Sequence, residues 1–179
     1  REHICRGAYK HAKRPILINN WEATYFDFNE EKILKIAEQA QKLGIEMLVL
    51  DDGWFGKRED DNSGLGDWFV NEKKMNGSMA QLAEKIHRMG MKFGLWFEPE
   101  MISPNSDLYR AHPEWAIQIP GREATESRCQ YVLDLSRPEV QDYAYESVAK
   151  ILRSANIKYV KWDMNSGYRR LHFKGTDRR

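Results

Sequence analysis

Four short segments gather carboxylates, amides, a lysine and tryptophans directly after short apolar runs. They read Asn19-Asn20-Trp21-Glu22, Asp51-Asp52-Gly53-Trp54, Trp96-Phe97-Glu98-Pro99-Glu100 and Lys161-Trp162-Asp163-Met164-Asn165, and they hold four of the six tryptophans. A flat aromatic face covers the apolar face of a pyranose, while carboxylates, amides and ammonium groups hold its hydroxyls. Carboxylates also carry glycosidic cleavage, one as nucleophile and one as acid and base. The residue types therefore suit a sugar. Lys161 and Asp163 are two apart, so on a strand they project to one face, where the cation favours the charged carboxylate. The plainer reading of that spacing is an ion pair that only fixes the strand. Asp51 and Asp52 face opposite ways along a continuing strand, but Gly53 turns the chain and lets both reach one ligand. A metal site or a helix cap fits the same pair. Arg128, in a long loop, suits a clamp on a hydroxyl or carboxylate, or is simply an exposed arginine.

Other chemistries have weaker support. The five histidines, His3, His11, His87, His112 and His172, form no H-x-H or H-E-x-x-H pair. Glu59 to Gly64 has a calcium-like look but lacks the acid that closes a 12-residue loop. Cys129 has no histidine near it in sequence, and a buried thiol is its usual fate. Lys161 as a Schiff-base lysine of an aldolase-like enzyme stays open, as does a non-catalytic sugar-binding role. With 28 Lys+Arg against 27 Asp+Glu in 179 residues the net charge is +1, which offers no general attraction to nucleic acid or an anionic membrane. The longest apolar runs fall far short of the roughly 18 residues of a membrane span. Two cysteines, Cys5 and Cys129, build no disulfide framework, and a cytoplasmic location is expected. At 41% hydrophobic, with a mean hydropathy of −0.73, the chain can build a core and is not a disordered one.

The elements that must position these residues alternate between strand and helix. Ile16 to Trp21 reads as a buried strand, and Glu46 to Asp51, Lys92 to Phe97 and Lys158 to Asp163 as further strands. Between the first two, Ile33, Leu34, Ala37, Ala40 and Leu43 recur at helical spacing, with Asp27 or Asn29 as cap and Gly44 as stop. A polar loop precedes a second helix, which Ser78 and Gln81 open as a capping box and Gly90 ends. After a proline-broken stretch from Glu98 to Leu135, holding a short strand at Tyr131 to Leu133, Ser136 and Glu139 form another capping box. The helix it opens buries Val140, Tyr143, Ala144, Val148, Ile151 and Leu152. Alternation of this kind means parallel strands joined by right-handed crossovers. No glycine-rich phosphate loop follows the first strand, as a doubly wound nucleotide-binding sheet would have. Functional residues at the ends of all four strands fit a (β/α)8 barrel. Four units are half of eight, so the expectation is an α/β TIM-barrel type truncated to about its first four β/α units, spanning residues 1–165, followed by a divergent basic tail over 166–179.

The four motifs closely resemble the alpha-galactosidases of glycoside hydrolase family 36, with a likeness running from about Arg6 to Asn165. The resemblance implies a retaining hydrolase of terminal alpha-linked galactose, with no cofactor and no metal. It makes Asp163 the nucleophile and Asp51 and Asp52 the pair that grips galactose hydroxyls. Lys161, Asn165, Arg128, Trp21 and Trp96 become sugar contacts. In that family the acid/base aspartate lies on a later barrel strand, beyond residue 179, so the short chain is expected to be nearly inactive alone. Members usually carry a β-sandwich domain before the barrel and a smaller β domain after it. Many bacterial members are intracellular oligomers, and open barrel edges here add the expectation of homo-oligomers or aggregation.

Overall fold

A computed structural model describes residues 10–118 and 128–165; Cys5 and the basic tail at 166–179 lie outside them. Four strands, β1 (Leu17–Asn19), β2 (Met47–Leu50), β3 (Lys92–Phe97) and a later one, Tyr159–Trp162, form a single parallel sheet. They lie side by side in the order in which the chain makes them. A doubly wound sheet reverses direction at a switch point. Here each new strand joins the same growing edge, as in the wall of a barrel. β2 is buried throughout, whereas the two outer strands are only partly covered, and Ile16, Leu17, Tyr159 and Trp162 are exposed.

The helices are α1 (Trp21–Thr24), α2 (Glu30–Lys42), α3 (Met79–Arg88), α4 (Asp107–Ala111) and α5 (Pro138–Ser154). Ile33, Ala37 and Ala40 of α2 join Leu82, Ala83 and Ile86 of α3 in one core with Leu48, Leu50, Phe93 and Leu95 of the sheet. Asn29, not Asp27, caps α2, its Oδ1 accepting the Lys32 N–H at 3.0 Å, while Asp27 pairs with the Lys32 ammonium at 2.7 Å. Gly44 and Gly90 take left-handed backbone, as helix stops require. The box at Ser78 and Gln81 is complete in both directions. Because a cap satisfies an amide that the helix leaves orphaned, Ser78→Ala is expected to cost about 1 kcal/mol. A lower urea midpoint at unchanged slope is the reading that checks it.

The first strand, expected to be buried, is an outer strand with Ile16 and Leu17 exposed, because among the described residues it pairs on one side only, and three further expectations need correction. Ser136 and Glu139 make no capping box: α5 starts at Pro138, which has no N–H, and Ser136 Oγ instead donates to Asp134 at 2.6 Å. Glu139 turns to Arg137 at 2.6 Å. Of the residues expected to be buried by α5, Tyr143, Ala144 and Leu152 are only half-buried, since the helix covers an outer strand. The segment after β2 is no polar loop. It contributes Trp54, Phe55, Leu65, Trp68 and Met75 to the core, all buried. Their rings interlock with Trp96 and Phe97 at centroid distances from 4.4 to 6.2 Å.

Between β3 and α5 the chain makes a side excursion. Two short antiparallel strands, β4 (Met101–Ile102) and β5 (Tyr131–Val132), pair there, as the sequence predicted for 131–133 to within one residue. The strand Tyr159–Trp162 is thus β6. A second apolar cluster of Ile102, Leu108, Trp115, Leu133 and Val140 holds the excursion against α5. Among the described residues no helix is long and apolar enough to cross a membrane.

Candidate active site

The carboxyl ends of β1, β2, β3 and β6 meet around a cavity of about 160 Å³. All eight residues singled out from sequence line it: Trp21, Asp51, Asp52, Trp96, Arg128, Lys161, Asp163 and Asn165. A larger surface groove of about 750 Å³ runs past Tyr25, Phe26, Glu59 and Lys74. Its lysine is already held by the Phe26 carbonyl at 2.8 Å and Glu59 at 3.4 Å, and none of the strand-end clusters opens into it apart from their flanks.

Asp163 follows β6 and is half-buried. Its Oδ2 accepts the Trp96 indole N–H at 3.1 Å, and its Oδ1 accepts the Met164 N–H at 2.9 Å. Burial pushes this carboxyl up, but the hydrogen bonds from Trp96, Met164 and Asn165, with the charge of Lys161, outweigh it and hold the group below its ordinary range. The result is a charged carboxylate with a fixed direction, which is what a nucleophile needs.

Lys161 does share a face with Asp163, but its direct partner is another residue. Its ammonium donates to Asp51 Oδ2 at 2.8 Å, across 110 residues of chain. Asn19 Nδ2 donates to the same oxygen, and the Asp51 N–H donates to Asn20 Oδ1 at 2.8 Å. β1, β2 and β6 are therefore tied through one buried carboxylate. An ammonium donating to such a group is not free to attack a carbonyl, which removes the geometric support for a Schiff-base lysine.

Asp52, past the end of β2, has a partner that sequence reasoning missed. Arg58 is 2% exposed and grips Asp52 with Nε at 3.1 and 3.2 Å and with Nη2 at 2.9 Å. Its Nη1 donates to the Ser63 carbonyl at 3.0 Å, and its guanidinium lies 5.5 Å from the Phe26 ring centre. Burial pushes Asp52 above the usual carboxylate range; Arg58 opposes this only in part, and Asp51 and Asp61 add to it. Asp61 stands 3.7 Å from Arg58 and 4.0 Å from Arg128, so a chain of alternating charges reaches from Asp52 to Arg128 across the mouth. Gly53 turns the backbone between strand and loop at φ +100°, as the two adjacent aspartates require.

Of the four strand-end tryptophans, two belong to the site. Trp21 packs edge-on to Tyr25 and Phe26, and Trp96 anchors Asp163. Trp54 is fully buried, its indole N–H donating to the Trp96 carbonyl at 2.9 Å. Trp162 points to the opposite face from Lys161 and Asp163, exposed, and donates to Glu100 at 3.0 Å. Glu98 and Gln130 also line the cavity unannounced. For Glu98 the signal was present: it lies two residues beyond Trp96, the spacing that joins Lys161 to Asp163.

Comparison with known proteins adds to this geometry. The family described as Melibiase matches residues 1–179. The chain belongs to that family. It is 58% identical over 165 residues to alpha-galactosidase AgaA of Geobacillus stearothermophilus, covering 92% of this chain and 23% of AgaA. The galactosidase domain of the AgaSK alpha-galactosidase–sucrose kinase, a bifunctional protein of Mediterraneibacter gnavus, superposes with a TM-score of 0.88 at 56% identity. That match covers 91% of this chain and 23% of that one. A GH36 AgaA variant solved in complex with raffinose superposes at 0.87, 58% identical, covering 89% of this chain and 22% of that one. The chain thus spans less than a quarter of the length of these relatives. The family is one of glycoside hydrolases, and the described sheet and helices superpose on part of their fold.

Proposed function

We propose that this chain carries the nucleophile and galactose-binding half of a retaining alpha-galactosidase site, within about the first four units of a (β/α)8 barrel. One observation carries the reading. Asp163, oriented by Trp96 and Met164, opens on the same small cavity as Asp51, Lys161, Trp21, Arg128 and Asn165. At about 160 Å³ the cavity suits one hexose ring, well under the roughly 300–1,000 Å³ of pockets for larger ligands. In the reading, Asp51, Asp52, Lys161, Arg128 and Asn165 hold hydroxyls while the tryptophans wall the ring. An Asp163 oxygen bonds to the anomeric carbon as the glycosidic C–O bond breaks, and a second carboxyl protonates the departing oxygen. Water then attacks the glycosyl ester with that second group as base.

The second carboxyl is not found among the described residues. Asp51 is paired with Lys161, Asp52 with Arg58, and Asp61 faces two guanidinium groups. Glu98 is 1% exposed, and its Oε1 is taken up by the Asn165 N–H. On this reading the acid would come from a later strand, and β1 and β6, the outer strands of the sheet among the described residues, leave edges on which further strands, from a longer polypeptide or a second copy, would dock. A cytoplasmic setting agrees with the cysteine usage.

The test is a graft. The matched 165 residues replace their counterpart in AgaA, and the product is treated with an activated fluorinated galactoside. Alpha-galactoside cleavage and a mass increment on Asp163 are expected. An inactive graft, or a label on Asp51, Asp52 or Lys161, would overturn the reading.

A further inference from the structure

Glu98 is a buried carboxyl that the mechanism above does not use. It leaves the end of β3 on the same side as Trp96, is 1% exposed, and still borders the cavity. Its Oε1 accepts the backbone N–H of Asn165, two residues beyond Asp163, and takes a longer contact from the Gln130 amide at 3.5 Å. The Asp163 N–H itself donates to the Phe97 carbonyl at 2.8 Å, next door to Glu98. Two successive residues of β3 and its exit thus hold the backbone on both sides of the nucleophile, one with main chain and one with side chain. Beyond Trp162 the ladder of β6 has ended, so Glu98 supplies the acceptor that a longer strand would have provided.

We infer, resting on the reading of Asp163 as nucleophile, that Glu98 is a positioning residue that fixes the turn after Asp163 and so sets where Asp163 and Asn165 stand in the cavity. Through Gln130 it also reaches the loop that carries Arg128. The groups that face it are Asp163 and Asn165 beyond β6, Asp52 and Arg58 from the loop after β2, and Gln130 from the excursion. Burial first, then the charges of Asp163 and Asp52, push Glu98 up to about 7 against the Asn165 N–H and Arg58. An isolated buried carboxylate is costly. A site that keeps one in such company, with an amide of the nucleophile's own segment bound to it, uses it to hold geometry.

The experiment uses the AgaA graft, with rates normalised to the sites that the fluorinated galactoside labels. Glu98→Ala frees the Asn165 amide and lets the turn drift, and misplacement of about 1 Å costs up to about a hundredfold. A fall in kcat of between ten- and a hundredfold is expected, with KM changed by less than about threefold. Glu98→Gln keeps an oxygen acceptor at the same reach and is expected to restore kcat to within about threefold of the unmutated graft. Glu98→Met fills much of the same volume without an acceptor for the Asn165 N–H, so a purely packing role predicts that it recovers like Glu98→Gln, whereas the positioning role leaves it as slow as Glu98→Ala. Unchanged kcat in Glu98→Ala, or a Gln variant as slow as the Ala variant, overturns the inference. An inactive unmutated graft instead counts against the proposed function, so the two failures are distinct.

Discussion

Arg58→Met is expected to leave the folded chain about 3–5 kcal/mol less stable at neutral pH, because it strands Asp52 as a buried, unpaired charge. The guanidinium makes three contacts to Asp52 between 2.9 and 3.2 Å, and both side chains are almost wholly buried. Methionine fills much of the volume but offers no donor, so the loss is electrostatic before it is steric. For a domain whose whole stability is about 5–15 kcal/mol, that is about a fifth or more. The pH dependence has a definite sign. Asp52 already sits above its ordinary range through burial, so the folded state binds its proton more tightly than the unfolded state does. Its ionisation weakens the fold as pH rises from the unfolded value toward the folded one. Without Arg58 the folded value climbs further, so the deficit of the variant shrinks as the medium is acidified and Asp52 is neutralised. Urea unfolding of both proteins between pH 5 and 8 reads this directly. A pH-independent deficit, or none, would show that the pair is not the electrostatic unit described. Adding Asp52→Asn to Arg58→Met is expected to recover part of the loss, since the stranded charge is gone.

How much of this was readable in the residues depends on how local the cause was. The strands announced themselves because β2, and β3 beyond its exposed Lys92, are buried on both sides and must be free of charge there, and the Ser78–Gln81 box needs only four residues to close. The i, i+2 rule carried Lys161 and Asp163 to one face, and with the ends of four parallel strands in sequential order the eight candidates had to converge. What stayed hidden was set by partners distant in sequence or by irregular backbone. Arg58 lies in a run of charge, Lys57-Arg58-Glu59-Asp60-Asp61, that looks like a hydrated loop. Only the arrival of Asp52 and the Phe26 ring buries it. Trp54 and Trp162 looked equivalent to Trp21 and Trp96, yet one faces the core and the other the far side of the sheet. The aromatic cluster after β2 has no period, because a loop without regular backbone imposes none. Pro138 cancelled a capping box whose spacing was otherwise correct, by taking the first helical position itself.

The proposed reading also predicts what the 179 residues do unaided. On an unactivated alkyl alpha-galactoside the isolated chain is expected to turn over at least about 10²–10⁴-fold more slowly than the AgaA graft, the usual contribution of a positioned acid and base. An alkoxide leaves poorly unless it is protonated as the bond breaks, and retaining hydrolysis places the donor about 5–5.5 Å from the nucleophile. On the proposed reading Asp163 is the attacking group, but the neighbouring carboxyls among the described residues are committed to Lys161, Arg58 or the Asn165 amide, or face guanidinium groups. A nitrophenyl galactoside, whose phenolate departs without a proton, separates this cause from a merely loosened pocket. Weak binding slows both substrates alike, whereas a missing acid slows the alkyl substrate far more. The ratio of aryl to alkyl rates is therefore expected to be larger for the isolated chain than for the graft by most of that factor. Equal ratios in the two proteins would mean that a proton donor already lies within this chain. Among the described residues Glu98, which borders the cavity with only its Oε1 held by the Asn165 N–H, would be the first candidate to test as that donor.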